Sequence, residues 1–242
     1  MRGTTPAGAR TEQEAAAWVQ GMFGRVAHRY DLANHLLSFQ IDRYWRAHTV
    51  RRVRHVLENP AARILDICCG TGDLVLALER ARRAPVLGSD FCHPMLVAAA
   101  PKFRERQARS PLFESDALRL PLRDSSLDLL TVAFGFRNLA NYASGIAEMR
   151  RVVRPGGTIA ILEFSQPPNP AFRALYNFYS RRILPVIGGA LSGSPDAYRY
   201  LPESVRKFPG AGELAEDLRR AGFTDVNYEY LTGGIVALHV AS

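Results

Sequence analysis

The chain has 242 residues, 47% of them apolar, enough for one large core and near the upper size of a single domain. A formal charge of +8 and a pI near 9.8 are compatible with nucleic acid, an anionic membrane surface or an anionic substrate, and choose none of them. No apolar run reaches the roughly 18 residues that span a bilayer, no signal segment opens the chain, and Cys68, Cys69 and Cys92 lack metal-ligand spacing. Reduced thiols and a cytoplasmic protein are expected.

Residues 1–10, rich in Gly, Thr, Ala and Arg, are expected to be disordered, and residues 11–242 to form one domain. Ala15, Trp18, Val19, Met22, Phe23 and Val26 recur at three and four, which predicts an amphipathic helix over Glu12–Val26. The stretch from His28 to Phe39 is short and mixed. Tyr44, Trp45, Thr49, Val53, Val56 and Leu57 then predict a longer helix over Ile41–Leu57, with Arg43, Arg46, Arg51, Arg52 and Arg54 on its other, solvated face.

From Arg63 onward strands and helices alternate, the pattern of an α/β fold whose parallel sheet is covered on both faces. Ile64, Leu65 and Ile67 read as a buried strand, Gly70 and Gly72 as a tight turn, and Asp73 as the cap of a helix over Leu74–Arg83. Strand, glycine turn and helix N-terminus make a nucleotide-binding crevice. The third glycine of the dinucleotide fingerprint is replaced by Val75, and Asp66 would repel a pyrophosphate. An adenosine cofactor bearing a cationic sulfonium, S-adenosylmethionine, fits better, its amino acid end over Gly70, Thr71 and Gly72. A purely structural strand-to-helix turn is the alternative for this motif taken alone.

A second strand, Val86–Ser89, ends in Asp90, some twenty residues past the turn, where a carboxylate can accept ribose hydroxyls. Phe91 follows it in the crevice. Asp116 and Ala117 end a third short run and are placed for an adenine contact, although Asp116 also suits a turn. Helices over Pro94–Gln107 and Ala143–Val153, and strands over Leu127–Phe134 and Thr158–Phe164, continue the alternation.

Residues 167–208 interrupt it. Phe172, Leu175, Tyr176, Phe178, Tyr179, Ile183, Leu184, Val186 and Ile187 make an apolar face beside Arg173, Arg181 and Arg182, and Gly188 and Gly189 loosen the chain. Such an insertion can lie over the crevice as a helical lid, or pack as an ordinary helix. A helix over Gly212–Ala221 and a hairpin turning at Thr232, Gly233 and Gly234 close the chain.

Several stretches resemble the ubiquinone and menaquinone biosynthesis C-methyltransferases. They are Tyr30, Asp31 and Asn34 with Leu37, Ser38 and Trp45; Leu65 and Asp66 with Gly70 to Asp73; Phe134 to Asn138; Arg151 to Gly157 with Glu163 and Phe164; Tyr198 to Arg206 with Phe208 and Pro209; and Gly233 to His239. Gln40 stands where that family commonly has glycine, and Ala133 where some members have a serine that touches the cofactor. The resemblance implies a Rossmann-like class I methyltransferase: a mostly parallel seven-stranded sheet with a C-terminal β-hairpin, helices over residues 11–60 and a lid over 167–208. It implies methyl transfer from S-adenosylmethionine to a ring carbon of a polyprenylated quinol, with Thr71, Asp90, Asp116, Ala117 and Ala133 at the cofactor.

The sulfonium methyl is already electrophilic, so the protein must align it with an electron-rich ring carbon. Loss of a quinol hydroxyl proton supplies that. His28 is the base suggested by residue type and Asp31 an alternative, while Arg137 can stabilise a developing phenolate beside Asn138. Tyr30, Asn34 and Tyr200 are candidates for substrate contact or gating. No metal and no nucleic acid are expected, and the choice between naphthoquinol and benzoquinol stays open. So do a nucleic acid methyltransferase, a non-catalytic cofactor-binding scaffold, a homo-oligomer and a peripheral contact with the inner face of a membrane.

Overall fold

The computed structural model describes residues 3–186 and 195–242. Ile187, Gly188 and Gly189 of the expected insertion lie outside the described residues.

Seven strands form one sheet: β1 (Ile64–Ile67), β2 (Leu87–Asp90), β3 (Leu112–Glu114), β4 (Leu127–Ala133), β5 (Val153–Phe164), β6 (Val226–Leu231) and β7 (Val236–Ala241), in the order β3-β2-β1-β4-β5-β7-β6. Strands β1 to β5 pair in parallel, and β7 runs antiparallel to both β5 and β6. The strand order therefore reverses at β1, which opens a crevice beyond the carboxyl ends of β1, β2 and β4. Period-two alternation distributes the central strands between two cores. Leu65, Ile67, Leu130, Val132, Ile159 and Ile161 face α7 (Tyr142–Val152) and α10 (Ala211–Arg220). Ile64, Leu129, Ala160 and Leu162 face α3 (Ile41–Arg52), α5 (Asp73–Arg82) and α6 (His93–Glu105).

On the sheet's open end lie α1 (Glu12–Val26), α2 (Tyr30–Leu37), α8 (Pro170–Phe178) and α9 (Pro195–Lys207). Thr11 caps α1 by accepting from the Glu14 amide, and Asn169 caps α8 by accepting from the Phe172 amide.

Four local expectations differ. The helix expected over Ile41–Leu57 breaks at Val53 into α3 and a last turn, α4 (Arg54–Leu57). The mixed stretch before it forms α2, and the α2–α3 corner holds Phe39 (φ 51°) and Gln40 (φ 61°) in the left-handed region, which explains why glycine suits position 40. Asp73 opens α5, but its N-cap is Gly72 in the left-handed region, and a Cβ there would stand 2.4 Å from the Phe103 ring. Finally, the segment expected to be disordered is docked from Gly3 to Pro6. Thr4 is buried, its amide donates to the Leu139 carbonyl (2.8 Å), its hydroxyl meets that of Tyr200 (2.6 Å), and Lys207 donates to the Thr5 carbonyl. Composition near the terminus could not report these few tertiary anchors.

Candidate active site

The turn after β1 is built from left-handed residues, Cys68 (φ 49°), Gly70 (φ 57°) and Gly72 (φ 82°), and it wraps the carboxylate of Asp90 at the end of β2. Asp90 accepts from the Gly70 amide (2.7 Å) and from the Cys92 amide (2.9 Å). Asp66, in β1, accepts from the Thr131 hydroxyl (2.6 Å). Neither carboxylate is ion-paired to a described residue. Burial raises both carboxyls, Asp66 to about 7. Two such acids can hold a cation or several hydroxyls that return the lost solvation.

These acids line a cavity together with Gly70, Thr71, Phe91, Ser115, Asp116, Ala117, Ala133 and Asn138. Asp116 also accepts from the Leu118 amide (2.8 Å), so the turn role and a place in the cavity wall coincide. Ser115 Oγ is buried in that wall without a described partner. Unpaired buried acids, an orphan hydroxyl and a backbone cradle fit a polar, partly cationic adenosine cofactor. Gly72 is absent from the wall; its work is the turn.

Beside this cavity is a larger, predominantly apolar chamber, lined from α1, α2, α3, β5, α8 and α9 by Met22, Val26, Asn34, Trp45, Phe164, Phe172, Tyr176, Tyr200 and others. Phe23, Tyr30, Arg46 and Phe134 border both spaces. Phe134 is strained (φ 61°), and its ring packs on Phe164 and Trp45 with the Arg46 guanidinium 5.5 Å from its centroid.

Arg137 holds that bend. It is buried, and its Nη1 donates to the Phe134 carbonyl (2.5 Å) and to Glu163 Oε1 (3.0 Å), while Nε donates to Ser204 (3.3 Å). Burial opposes its charge, but the buried Glu163 carboxylate outweighs burial and raises its pKa. Arg137 does border the chamber. Its cation, however, is matched by Glu163 rather than left free. Asn138 donates weakly to the Phe134 carbonyl (3.4 Å) and accepts from the Tyr200 hydroxyl (2.9 Å).

Two residues considered as bases lie elsewhere. His28 is exposed in the short 3-10 turn Ala27–Arg29 and borders neither space. Asp31 accepts from the Thr71 hydroxyl and from Lys102 Nζ (2.7 Å), and Lys102 also donates to Asp73 (2.6 Å). Asp31 therefore faces a basic groove outside the chamber.

Sequence reasoning missed Arg46, read there as part of a solvated face, and its neighbours Asp42, His35 and Lys102. Arg46 borders both spaces and pairs with Asp42, one helical turn away. The i,i+4 spacing of Asp42 and Arg46 around Trp45 was the available signal. His35, Asp42 and Asp73 each bring one ligand atom within 4.8 Å of the others, but Arg46 and Lys102 pair with these carboxylates and supply the positive charge.

The ubiE/COQ5 methyltransferase family model matches residues 9–242. The chain is 49% identical to a demethylmenaquinone methyltransferase of Thermus thermophilus, over 90% of this chain and 98% of that one. It is 45% identical to a ubiquinone/menaquinone biosynthesis C-methyltransferase UbiE of Syntrophotalea carbinolica, over 90% and 91%. Among solved structures it superposes on an S-adenosylmethionine-dependent methyltransferase of Thermotoga maritima with a TM-score of 0.62 at 17% identity, covering 91% of this chain and 98% of that one, which bears on the fold alone.

Proposed function

This chain belongs to the ubiE/COQ5 methyltransferase family, and on that premise we propose that it methylates a ring carbon of a polyprenylated quinol, demethylmenaquinol in the first place. It is an S-adenosylmethionine-dependent methyltransferase with a Rossmann-like fold. One observation carries the substrate reading: the acid-lined cavity and the apolar chamber are neighbours that share Phe23, Tyr30, Arg46 and Phe134 as lining residues. A quinol head can meet the cofactor there while its isoprenoid tail lies in the chamber.

The residues that would hold S-adenosylmethionine are Asp66, Gly70, Asp90, Phe91, Ser115, Asp116, Ala117 and Ala133. When bound, it supplies a methyl group on an electron-poor sulfur. The chain then aligns the partners and excludes water. Phe134, fixed in its bend by Arg137, shapes the passage, and Tyr30, Asn34 and Tyr200 face the quinol. Asn138 supports Tyr200.

The mouth of the chamber supports a peripheral membrane contact. Among the described residues no helix is long and apolar enough to cross a membrane. Yet Phe39 (74% exposed), Leu175, Phe178 and Ile183 are exposed and also border the chamber, with Arg181 and Arg182 exposed nearby. An apolar rim with cations suits the headgroup boundary of an anionic bilayer.

The test is methyl-labelled S-adenosylmethionine offered with demethylmenaquinol, with the benzoquinol precursor and with RNA. Label on the naphthoquinol ring is expected. Label on RNA alone, or on no quinol, rejects the reading, and label on the benzoquinol alone moves the head group to the ubiquinone branch.

A further inference from the structure

The chamber is an apolar space with one carboxylate. Among the described residues that border it, Asp42 is the only acid, and it is 4% exposed. Its Oδ1 accepts from the Ser38 hydroxyl (2.7 Å), and Ser38 borders the chamber too. Its Oδ2 is hydrogen-bonded to His35 Nδ1 (2.7 Å) and paired with Arg46. Position in the first turn of α3 adds the favourable end of the helix dipole. Three partners satisfy this buried acid and hold it in place on the wall of a predominantly apolar cavity, where it is the one carboxylate among the described residues that an occupant can meet.

We propose that Asp42 is the catalytic base of the reaction, accepting the quinol hydroxyl proton as the ring carbon takes the methyl group, with His35 and Arg46 as the residues that position it. The inference rests on the quinol reading above. In the step, the quinol O–H bond breaks and its proton passes to Asp42 Oδ1, directly or through Ser38, whose own proton then moves on. The O–H electron pair enters the ring, the ring carbon forms its bond to the methyl group, and the methyl–sulfur bond breaks with its pair left on sulfur. The displaced hydrogen of the ring carbon leaves as a proton when aromaticity returns. No oxidant or reductant is needed.

Burial works against the charge on Asp42, but the Ser38 hydrogen bond and the charges of Arg46 and His35 outweigh it and keep the carboxyl below its ordinary range. That makes a weak base, whereas general bases are usually best matched to the working pH. The chemistry removes the difficulty. As the methyl bond forms, positive charge grows on the hydroxyl and its acidity rises steeply, so a weak but permanently ionised acceptor suffices. The groups around Asp42 are His35 of α2, Ser38 in the turn after it and Arg46 of α3, with Asp73 of α5 and Lys102 of α6 just beyond. Arg46 also borders the cofactor cavity, so the base and the cofactor are tied to one side chain.

The experiment uses the full-length enzyme, D42N, and a series of naphthoquinols whose hydroxyl acidity is raised by ring substituents. At saturating S-adenosylmethionine, D42N should lower kcat about a hundredfold while its cofactor affinity, measured by calorimetry, changes less than about twofold. The deficit should shrink on the more acidic quinols, which a merely structural lesion would not produce. His35→Asn should lower kcat less, about tenfold. Turnover by D42N within about threefold of wild type, or a deficit independent of hydroxyl acidity, overturns the proposal. Should D42N fail to fold, the wild-type pH profile decides: kcat is expected to stay level from about pH 8 down to 5, and a fall centred near the ordinary histidine value of about 6.5 overturns it. A wild type that methylates no quinol rejects the substrate reading and this base with it.

Discussion

The cofactor cavity is walled largely by residues that follow one another along the ends of β1, β2 and β4, whereas the chamber is walled by side chains drawn from Met22 to Ile235. Their charges are handled in opposite ways. In the cavity, Asp66 and Asp90 are buried with hydrogen bonds but no ion pair to a described residue, which leaves negative charge for a ligand to satisfy. In the chamber wall, Arg137 is matched by Glu163 and Arg46 by Asp42, so the space stays apolar although ions surround it. One half is completed by its cofactor; the other is complete in itself.

The sharpest way to break that contrast is Arg137→Ala. It strips a buried carboxylate, Glu163, of its partner and frees the Phe134 bend, and should cost about 3–5 kcal/mol of folding stability, read by denaturant unfolding. A stable variant that is merely slow would make Arg137 a site residue rather than a brace. Asp90→Ala, by contrast, removes an acid whose partner is the ligand. It should weaken S-adenosylmethionine binding by about 1.5–3 kcal/mol in calorimetry, and unchanged affinity would take Asp90 out of the site.

The rim can be tested by its charge. Arg181→Ala with Arg182→Ala should weaken flotation with anionic vesicles by about 2 kcal/mol at low salt, with cofactor affinity kept; equal flotation would make the segment a lid alone. The smallest effect concerns pH. Asp66 titrates at about 7 when folded and in the ordinary carboxylate range when unfolded. Between these values the folded chain holds a proton that the unfolded chain has released, so stability of the free enzyme falls as pH rises through that window. A cationic ligand favours the ionised form, and affinity should therefore drop about tenfold between pH 8 and pH 6. Affinity independent of pH would place the ligand's cation elsewhere.

This division also marks how far the sequence could be read. Asp66, Gly70 and Asp90 announce themselves because a strand end, a left-handed turn and the next strand's terminal acid lie within a few residues of fixed spacing. Gln40 could be flagged against the family pattern, and its left-handed φ gives the reason. Arg46 differs from Arg43 and Arg51 in sequence only by its i,i+4 spacing from Asp42, and that spacing does not say which arginine of α3 turns inward, because that depends on where α2 and α5 pack. Tyr200 lies 62 residues from Asn138 and 196 from Thr4, both of which its hydroxyl meets. Nothing local foretells such contacts, and the docked Gly3 to Pro6 segment was missed for the same reason. His28 and Asp31 were chosen by residue type, and residue type does not say which way a side chain faces.

In the proposed function a cofactor cavity and an apolar chamber work as one site, with the quinol head at their junction and the tail in the chamber. A series of demethylnaphthoquinols with no tail and with increasing numbers of isoprene units, dispersed in detergent, tests it most directly. kcat/KM should rise with each added unit until the chamber is filled, by up to about tenfold per unit, while S-adenosylmethionine affinity stays constant. A tailless quinol methylated as efficiently as the longest one would show that the chamber does not hold the tail.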